Sequence, residues 1–184
     1  MSAVTVGVLL AAGQSRRFGS NKLLHRLDDG LPMVVASARH LRAVLREVVA
    51  VVDDTGGEVA TLLGQEGLRV VANPRAAEGM GTSIACGVAA SADAAGWVIA
   101  LGDMPYVPES VIGAVVSSLQ AGSDIIAPVY RQRRGHPVGF AARHAQALME
   151  LRGDEGARGV IAAHRDSLDL VEVVEPGVVV DIDR

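Results

Sequence analysis

The stretch that most constrains this chain is VTVGVLLAAGQSRRFGSNKLL, residues 4–24. Its apolar run from Val4 to Leu10 predicts a strand buried on both faces, and such strands belong to parallel sheets covered by helices on either side. The strand opens into a loop of small residues that carries Gly13, Ser15, Arg16, Arg17, Gly19 and Lys22. Glycines let backbone N–H groups approach an anion closely and the cations supply charge, so this loop suits a phosphate. Two common glycine-loop fingerprints are absent. Walker A requires Gly-x4-Gly-Lys-Ser/Thr, whereas five residues separate Gly13 from Gly19 here and Lys22 lies three beyond. No glycine occurs from Gln14 to Phe18, which removes the Gly-x-Gly-x-x-Gly pattern and disfavours an NAD-binding oxidoreductase.

The core must be built from aliphatic residues, because 49% of the chain is hydrophobic and only 3% aromatic. That favours buried parallel strands against tightly packed helices, an α/β class. A length of 184 residues fits one domain, taken as 1–184. With 17 basic and 21 acidic residues of mixed position and a net charge of −4, there is no electrostatic footprint for nucleic acid or an anionic membrane. The single Cys86 excludes an internal disulfide and a cysteine metal cluster, and reads as core. No segment reaches membrane-spanning length, and Met1 to Val4 runs straight into the first strand without a signal pattern, which implies a soluble cytoplasmic protein.

Strand and helix patterns alternate along the chain, punctuated by Gly and Pro, with no internal repeat. Strands are expected at 47–52, 68–72, 97–101, 124–130 and 138–140, with late strands at 168–174 and 178–182. Helices are expected from Pro32 to about Leu45, over 58–63, up to about Ala92 after a glycine-rich start at 78–84, from Pro108 to about Gln120, and over 141–151 and 157–164. Thr82 or Ser83 is placed to cap the helix that follows Gly79. Residues 131–137 read as a basic hairpin or lid.

The strand at 97–101 ends in Gly102-Asp103-Met104-Pro105, which sets a carboxylate at the carboxyl end of a central strand, where ligands of open α/β sheets bind. A triphosphate bound by the first loop needs Mg²⁺, which takes one or two carboxylates plus phosphate oxygens. Asp103 is one, and Asp183 or Asp181 near the C-terminus is the second. One arginine of the Arg16-Arg17 pair and Lys22 are the cations for the phosphates. The arginines at 131–134 with His136 suit a clamp for a second, anionic substrate. His25, His40, His144 and His164 show no metal-ligand spacing, and Gly153 to Gly156 reads as a tight turn.

Taken together these residues resemble a known family. Leu10-Ala11-Ala12-Gly13, Ser15, Arg17, Gly19 and Lys22 are similar to the nucleotide-binding signature of the molybdenum cofactor nucleotidyltransferases and their sugar-nucleotide relatives. The likeness continues in order through Asn73-Pro74, Gly79-Met80 with Ser83-Ile84, and Gly102 to Pro105. It ends with Arg134-Gly135-His136-Pro137, Gly153-Asp154 with Gly156-Ala157-Arg158, and Asp181-Ile182-Asp183. The set is most similar to the cytidylyltransferase branch, whose Ala11-Ala12 stands where guanylyl relatives have Ala-Gly. One departure is Gly19-Ser20-Asn21-Lys22, where the family often has Pro or Asp before the lysine.

The resemblance implies a Rossmann-like, three-layer nucleotidyltransferase fold with a mostly parallel sheet. It implies attack by an acceptor phosphate on the α-phosphorus of a nucleoside triphosphate, with CTP favoured and molybdenum-bound molybdopterin as acceptor. Leu10, Ala11, Ala12 and Gly13 would contact the nucleoside, together with Gly79, Ser83 and Gly102. Arg17, Lys22 and Asp103 would be catalytic, and Asp103 with Asp183 would hold Mg²⁺, or Mn²⁺ in its place. Arg134, Gly135, His136 and Pro137 would bind the acceptor, and a molybdoenzyme or its chaperone would be a transient partner. Two other readings stand beside this one: a related transferase using GTP or another acceptor, and a non-catalytic nucleotide- or cofactor-binding accessory protein.

Overall fold

In the computed structural model, which describes residues 4–13 and 21–182, the opening strand β1 (Thr5–Leu10) lies at the middle of one sheet. It pairs in parallel with β2 (Glu47–Val52) on one edge and β4 (Gly96–Leu101) on the other, and β3 (Arg69–Ala72) continues the parallel set beyond β2. Alternation along these strands sorts their side chains into two cores. Val6, Val8 and Leu10 of β1 join Val49, Val51, Trp97 and Ile99 on one face, and Leu9 joins Val48, Ala50, Val52 and Val98 on the other. Helices α1 (Met33–Val44), α2 (Glu58–Gln65) and α4 (Glu109–Gln120) cover the second face through residues such as Val34, Leu41, Leu63, Ile112 and Val115. Helices α3 (Met80–Ala89), α5 (Ala145–Met149) and α6 (Arg158–Ala163) cover the first through Ile84, Val88, Leu148 and Ile161. The result is the three-layer α/β sandwich that the aliphatic composition implied.

The other half of the sheet breaks the parallel rule. β5 (Ile125–Tyr130) turns through Arg131 and Gln132, both at positive φ, into β6 (Arg133–Arg134), and after Gly135 to Pro137 the chain continues as β7 (Val138–Ala141). β6 and β7 both run antiparallel along one edge of β5, with β7 also antiparallel to β4, while β8 (Leu168–Glu172) runs parallel to β5 on its far edge. Residues 131–137 are thus the basic hairpin expected from the sequence, with Arg131 stacked over the Tyr130 ring at 5.2 Å. Among the described residues no helix is long and apolar enough to cross a membrane.

Three local expectations are corrected. Residues 178–182 are not a strand: Pro176–Val179 is a single 3-10 turn, and beyond it the Ile182 N–H donates to the Asp103 carbonyl at 3.1 Å. The helix expected over 141–151 is a 3-10 turn, Ala142–His144, followed by the five-residue α5. Its start is pulled into the sheet by pairing of Ala141 with Gly96 and by the bond from the buried His144 ring to Asp124 at 2.8 Å. Gly79, not Thr82 or Ser83, stands at the N-cap of α3, and Thr82 lies inside the helix with its hydroxyl 2.8 Å from the Gly79 carbonyl.

Candidate active site

Two cavities open side by side at the carboxyl ends of β1 and β4, and Leu10, Met80 and Leu101 line both. The first, about 380 Å³, has Ala12, Gly13 and Lys22 on one wall, Gly79 and Ser83 on another, and Asp103 with Asp181 as its carboxylates. Each is held by a local reason. Asn21 Oδ1 accepts from the Leu23 N–H at 3.1 Å and caps a 3-10 turn, Lys22–Leu24, which aims Lys22 at the cavity. The Lys22 ammonium donates to Asp103 Oδ2 at 3.1 Å.

Asp103 stands on a framed backbone. The Gly102 N–H donates to the Leu10 carbonyl at 2.9 Å, and the buried Ser37 hydroxyl of α1 reaches the Gly102 carbonyl at 3.1 Å. With the Ile182 bond to the Asp103 carbonyl, these contacts tie together β1, β4, α1 and the C-terminal segment around one carboxylate. That bond is also what brings Asp181 into the cavity, although no late strand carries it.

A buried asparagine braces the far wall. Asn73, 3% exposed, follows β3 and accepts from the Arg75 N–H at 3.0 Å through Oδ1, which fixes its amide orientation because that N–H can only donate. Its Nδ2 then donates to Thr82 at 2.9 Å and to Ser83 at 3.0 Å. Gly79 adopts φ 121°, and a Cβ there would lie 2.3 Å from the Gly153 carbonyl carbon, so the loop at 152–156 can rest directly on the start of α3.

The second cavity, about 270 Å³, has an apolar floor of Ile84, Ile99, Val138, Phe140 and Ile161. Arg134, Gly135 and His136 come from the hairpin, and Asp154, Glu155 and Arg158 from the turn before α6. Gly135 is wedged in place: its N–H donates to the Pro128 carbonyl at 2.8 Å, and the next N–H, of His136, donates to the Val178 carbonyl at 2.8 Å. His136 Nδ1 is shut off from solvent with no hydrogen-bond partner among the described residues. Burial pushes this imidazole below its ordinary value of 6.5; Arg134 and Arg158 act the same way, and the Asp103 charge and the Ile99 backbone oppose them.

A histidine held neutral in the fold contributes stability that is complete above its unfolded pKa and is lost as pH falls below it, since only the unfolded chain gains the proton. The melting temperature of the free protein is therefore expected to decline below pH 6.5, and His136→Phe should make that decline shallower. Parallel slopes for the two proteins in a thermal-melt series from pH 5 to 8 would assign the acid sensitivity to other groups.

The structure gathers Leu10, Ala12, Gly13, Lys22, Gly79, Ser83 and Asp103 around the first cavity, and Arg134, Gly135 and His136 around the second. Ala11 points away into the core beneath α1, its N–H donating to the Val51 carbonyl at 2.8 Å; Gly102 is buried below Asp103, and Pro137 is buried behind the hairpin. Arg16, Arg17 and Asp183 lie outside the described residues. Sequence reasoning did not assign Ser37, Asn73 or the 154–158 segment. Ser37 carries no local signal, since it sits mid-helix, whereas Asn73 and the glycine turn at 153–156 stand in motifs whose partners are distant. His144 and His164 are structural, their rings 4.7 Å apart edge to face. Cys86 is half-buried on α3, 3.5 Å from the Ala72 carbonyl, and burial pushes its thiol up.

Residues 7–168 match the family described as the MobA-like NTP transferase domain. A nicotine blue oxidoreductase from Paenarthrobacter nicotinovorans is 29% identical over 96% of this chain and 91% of its own length. A probable molybdenum cofactor guanylyltransferase from Thermococcus gammatolerans is 26% identical over 87% of this chain and 80% of its own. Among solved structures, a nucleotidyl transferase from Methanothermobacter thermautotroptrophicus superposes with a TM-score of 0.83 at 22% identity, covering 100% of this chain and 93% of that one. A Mycobacterium tuberculosis protein, Rv0371c, in complex with manganese superposes with a TM-score of 0.78 at 22% identity, covering 100% and 95%. The fold is that of the nucleotidyltransferases, and the chain belongs to the MobA-like NTP transferase family.

Proposed function

We propose that this protein transfers CMP from CTP to molybdenum-bound molybdopterin, releasing pyrophosphate. The observation that carries this reading is the pair of adjoining cavities, one bearing the Lys22–Asp103 pair and the other bearing Arg134 and His136, with Leu10, Met80 and Leu101 between them. Such an arrangement sets a triphosphate and an acceptor against each other. An oxygen of the acceptor phosphate forms a new bond to the α-phosphorus as the bond to the β-phosphate bridging oxygen breaks, and pyrophosphate carries away the electron pair. The acceptor phosphate is already ionised, so no general base is required; positioning and charge neutralisation supply the catalysis.

Lys22 neutralises the phosphates, and Arg17 is assigned the same task from its place in the loop. Asp103 with Asp183, or with Asp181 which shares its cavity, would hold Mg²⁺. An all-oxygen carboxylate pair that leaves positions for phosphate oxygens fits Mg²⁺ or Mn²⁺, and the bound ion would neutralise triphosphate charge. Arg134, Gly135 and His136 position the acceptor, and Pro137, buried behind them, supports the hairpin that carries them. CTP is favoured because Ala11-Ala12 resembles the cytidylyl form, where guanylyl relatives have Ala-Gly, and Ala12 lines the first cavity. A molybdoenzyme or its chaperone would receive the product.

Pyrophosphate release measured with each of the four nucleoside triphosphates, with and without molybdenum-loaded molybdopterin, tests every part of this. Release is expected with CTP and acceptor together. Equal use of GTP removes the argument from Ala12; nucleotide binding without turnover favours a carrier or accessory protein.

A further inference from the structure

The two cavities share no polar side chain among the described residues. Only Leu10, Met80 and Leu101 line both, while Lys22 and Asp103 belong to one side and Arg134 and His136 to the other. The boundary is therefore an apolar ridge. It stands where transfer has to occur, because a triphosphate in one cavity and an acceptor in the other meet across it.

The three members of the ridge are held differently. Leu10 and Leu101 face each other in the β1–β4 ladder, so the sheet fixes their backbone. Met80 is the first residue of α3, and it is 41% exposed although large and apolar. A methionine that served only the core would be buried like Ile84, which lies four residues on along the same helix face and is 2% exposed. The Met80 thioether instead reaches across to the loop of the second cavity: a Cβ built on Gly156 would lie 3.1 Å from Met80 Sδ. An unbranched thioether chain fills an irregular gap of this kind and adapts to a ligand beside it.

Water is the nucleophile that competes with an acceptor. Its oxygen bonds to the α-phosphorus as the same bond to the β-phosphate bridging oxygen breaks; CMP and pyrophosphate result, and the water's protons pass to pyrophosphate and solvent. A water held in line for that attack needs polar partners, and an apolar ridge offers it none.

We propose that Met80 is the residue that decides between transfer and hydrolysis, its side chain denying water the in-line position across the ridge. This rests on the transfer reaction proposed above.

The test is CMP formed from CTP and Mg²⁺ without acceptor, measured beside dinucleotide formed with molybdenum-loaded molybdopterin; GTP and GMP replace CTP and CMP if the wild type prefers GTP. Met80→Gln matches the methionine in length and replaces the thioether with an amide that hydrogen-bonds water. It is expected to raise acceptor-free hydrolysis about tenfold, the scale of one hydrogen bond made to the attacking water. CTP affinity, measured by calorimetry, should change by less than about threefold, as for an exposed substitution. Met80→Leu restores an apolar ridge and the low hydrolysis with it. Met80→Ala, which opens the ridge to solvent, carries the test if Met80→Gln does not fold.

Wild-type hydrolysis in Met80→Gln overturns the inference, as does an equal rise in Met80→Leu. Dinucleotide formation that falls with no rise in CMP also overturns it, since Met80 would then only position the acceptor. Hydrolysis by the wild type as fast as its transfer overturns it as well. A wild type that forms no dinucleotide from CTP or GTP overturns the transfer reading and this inference with it, whereas one that forms dinucleotide beside variants that do not hydrolyse overturns this inference alone.

Discussion

Asp103→Asn is expected to lower turnover by about a thousandfold or more at saturating CTP and Mg²⁺, while CTP affinity falls by less than about tenfold. The substitution keeps the shape that rests on the Ile182 and Ser37–Gly102 bonds and removes only the charge. Stability should change by about 1–2 kcal/mol, because the Lys22–Asp103 pair is mostly buried, at 14% and 27% exposure of the side chains, and the asparagine oxygen still accepts from the ammonium. Turnover within tenfold of wild type, measured by pyrophosphate release, would falsify the metal role of Asp103. Parallel Asp181→Asn and Asp183→Asn variants identify the second ligand, since only the true one should share the collapse in turnover.

Gly135→Ala is expected to cost about 3 kcal/mol, which for a chain of this length lowers the melting temperature by about 6–12 °C. A Cβ at Gly135 would lie 2.2 Å from the Val178 carbonyl oxygen and 2.7 Å from its carbon, and both are backbone atoms that cannot rotate away. Relief requires the turn at 176–179 to move off the hairpin, breaking the bond from the His136 N–H to the Val178 carbonyl. The same displacement loosens residues 180–182, which carry Asp181 beside Asp103, so activity should fall as well. A variant that melts within 2 °C of wild type and retains full turnover would show that the turn is not held in this way.

Much of the site is legible in the chain because it lies where strands end. β1, β2 and β4 are apolar runs soon closed by Gly or Asp, and their backbone pairing needs nothing beyond their own pattern. Gly13, Lys22 and Asp103 follow from those ends, because open α/β sheets place ligands there. The stretch at 178–182 has the same apolar character as a strand, yet it forms none. Strand formation requires a partner edge, and the neighbouring β6 is two residues long, so Val178 contributes a buried side chain and one carbonyl bond instead.

The first strand, with Asp103 at the end of the next central strand, is therefore determined by sequence alone, because burial on both faces is a local property. Tertiary structure decided the rest. Asp181 reaches the cavity through a backbone bond to Asp103, Asn73 meets Ser83 only because β3 delivers it to the start of α3, and the turn at 153–156 becomes a cavity wall because Gly79 lets it approach. Each is a pairing of polar groups that a chain's periodicity does not encode, since periodicity selects which face is buried and not which distant group completes a hydrogen bond.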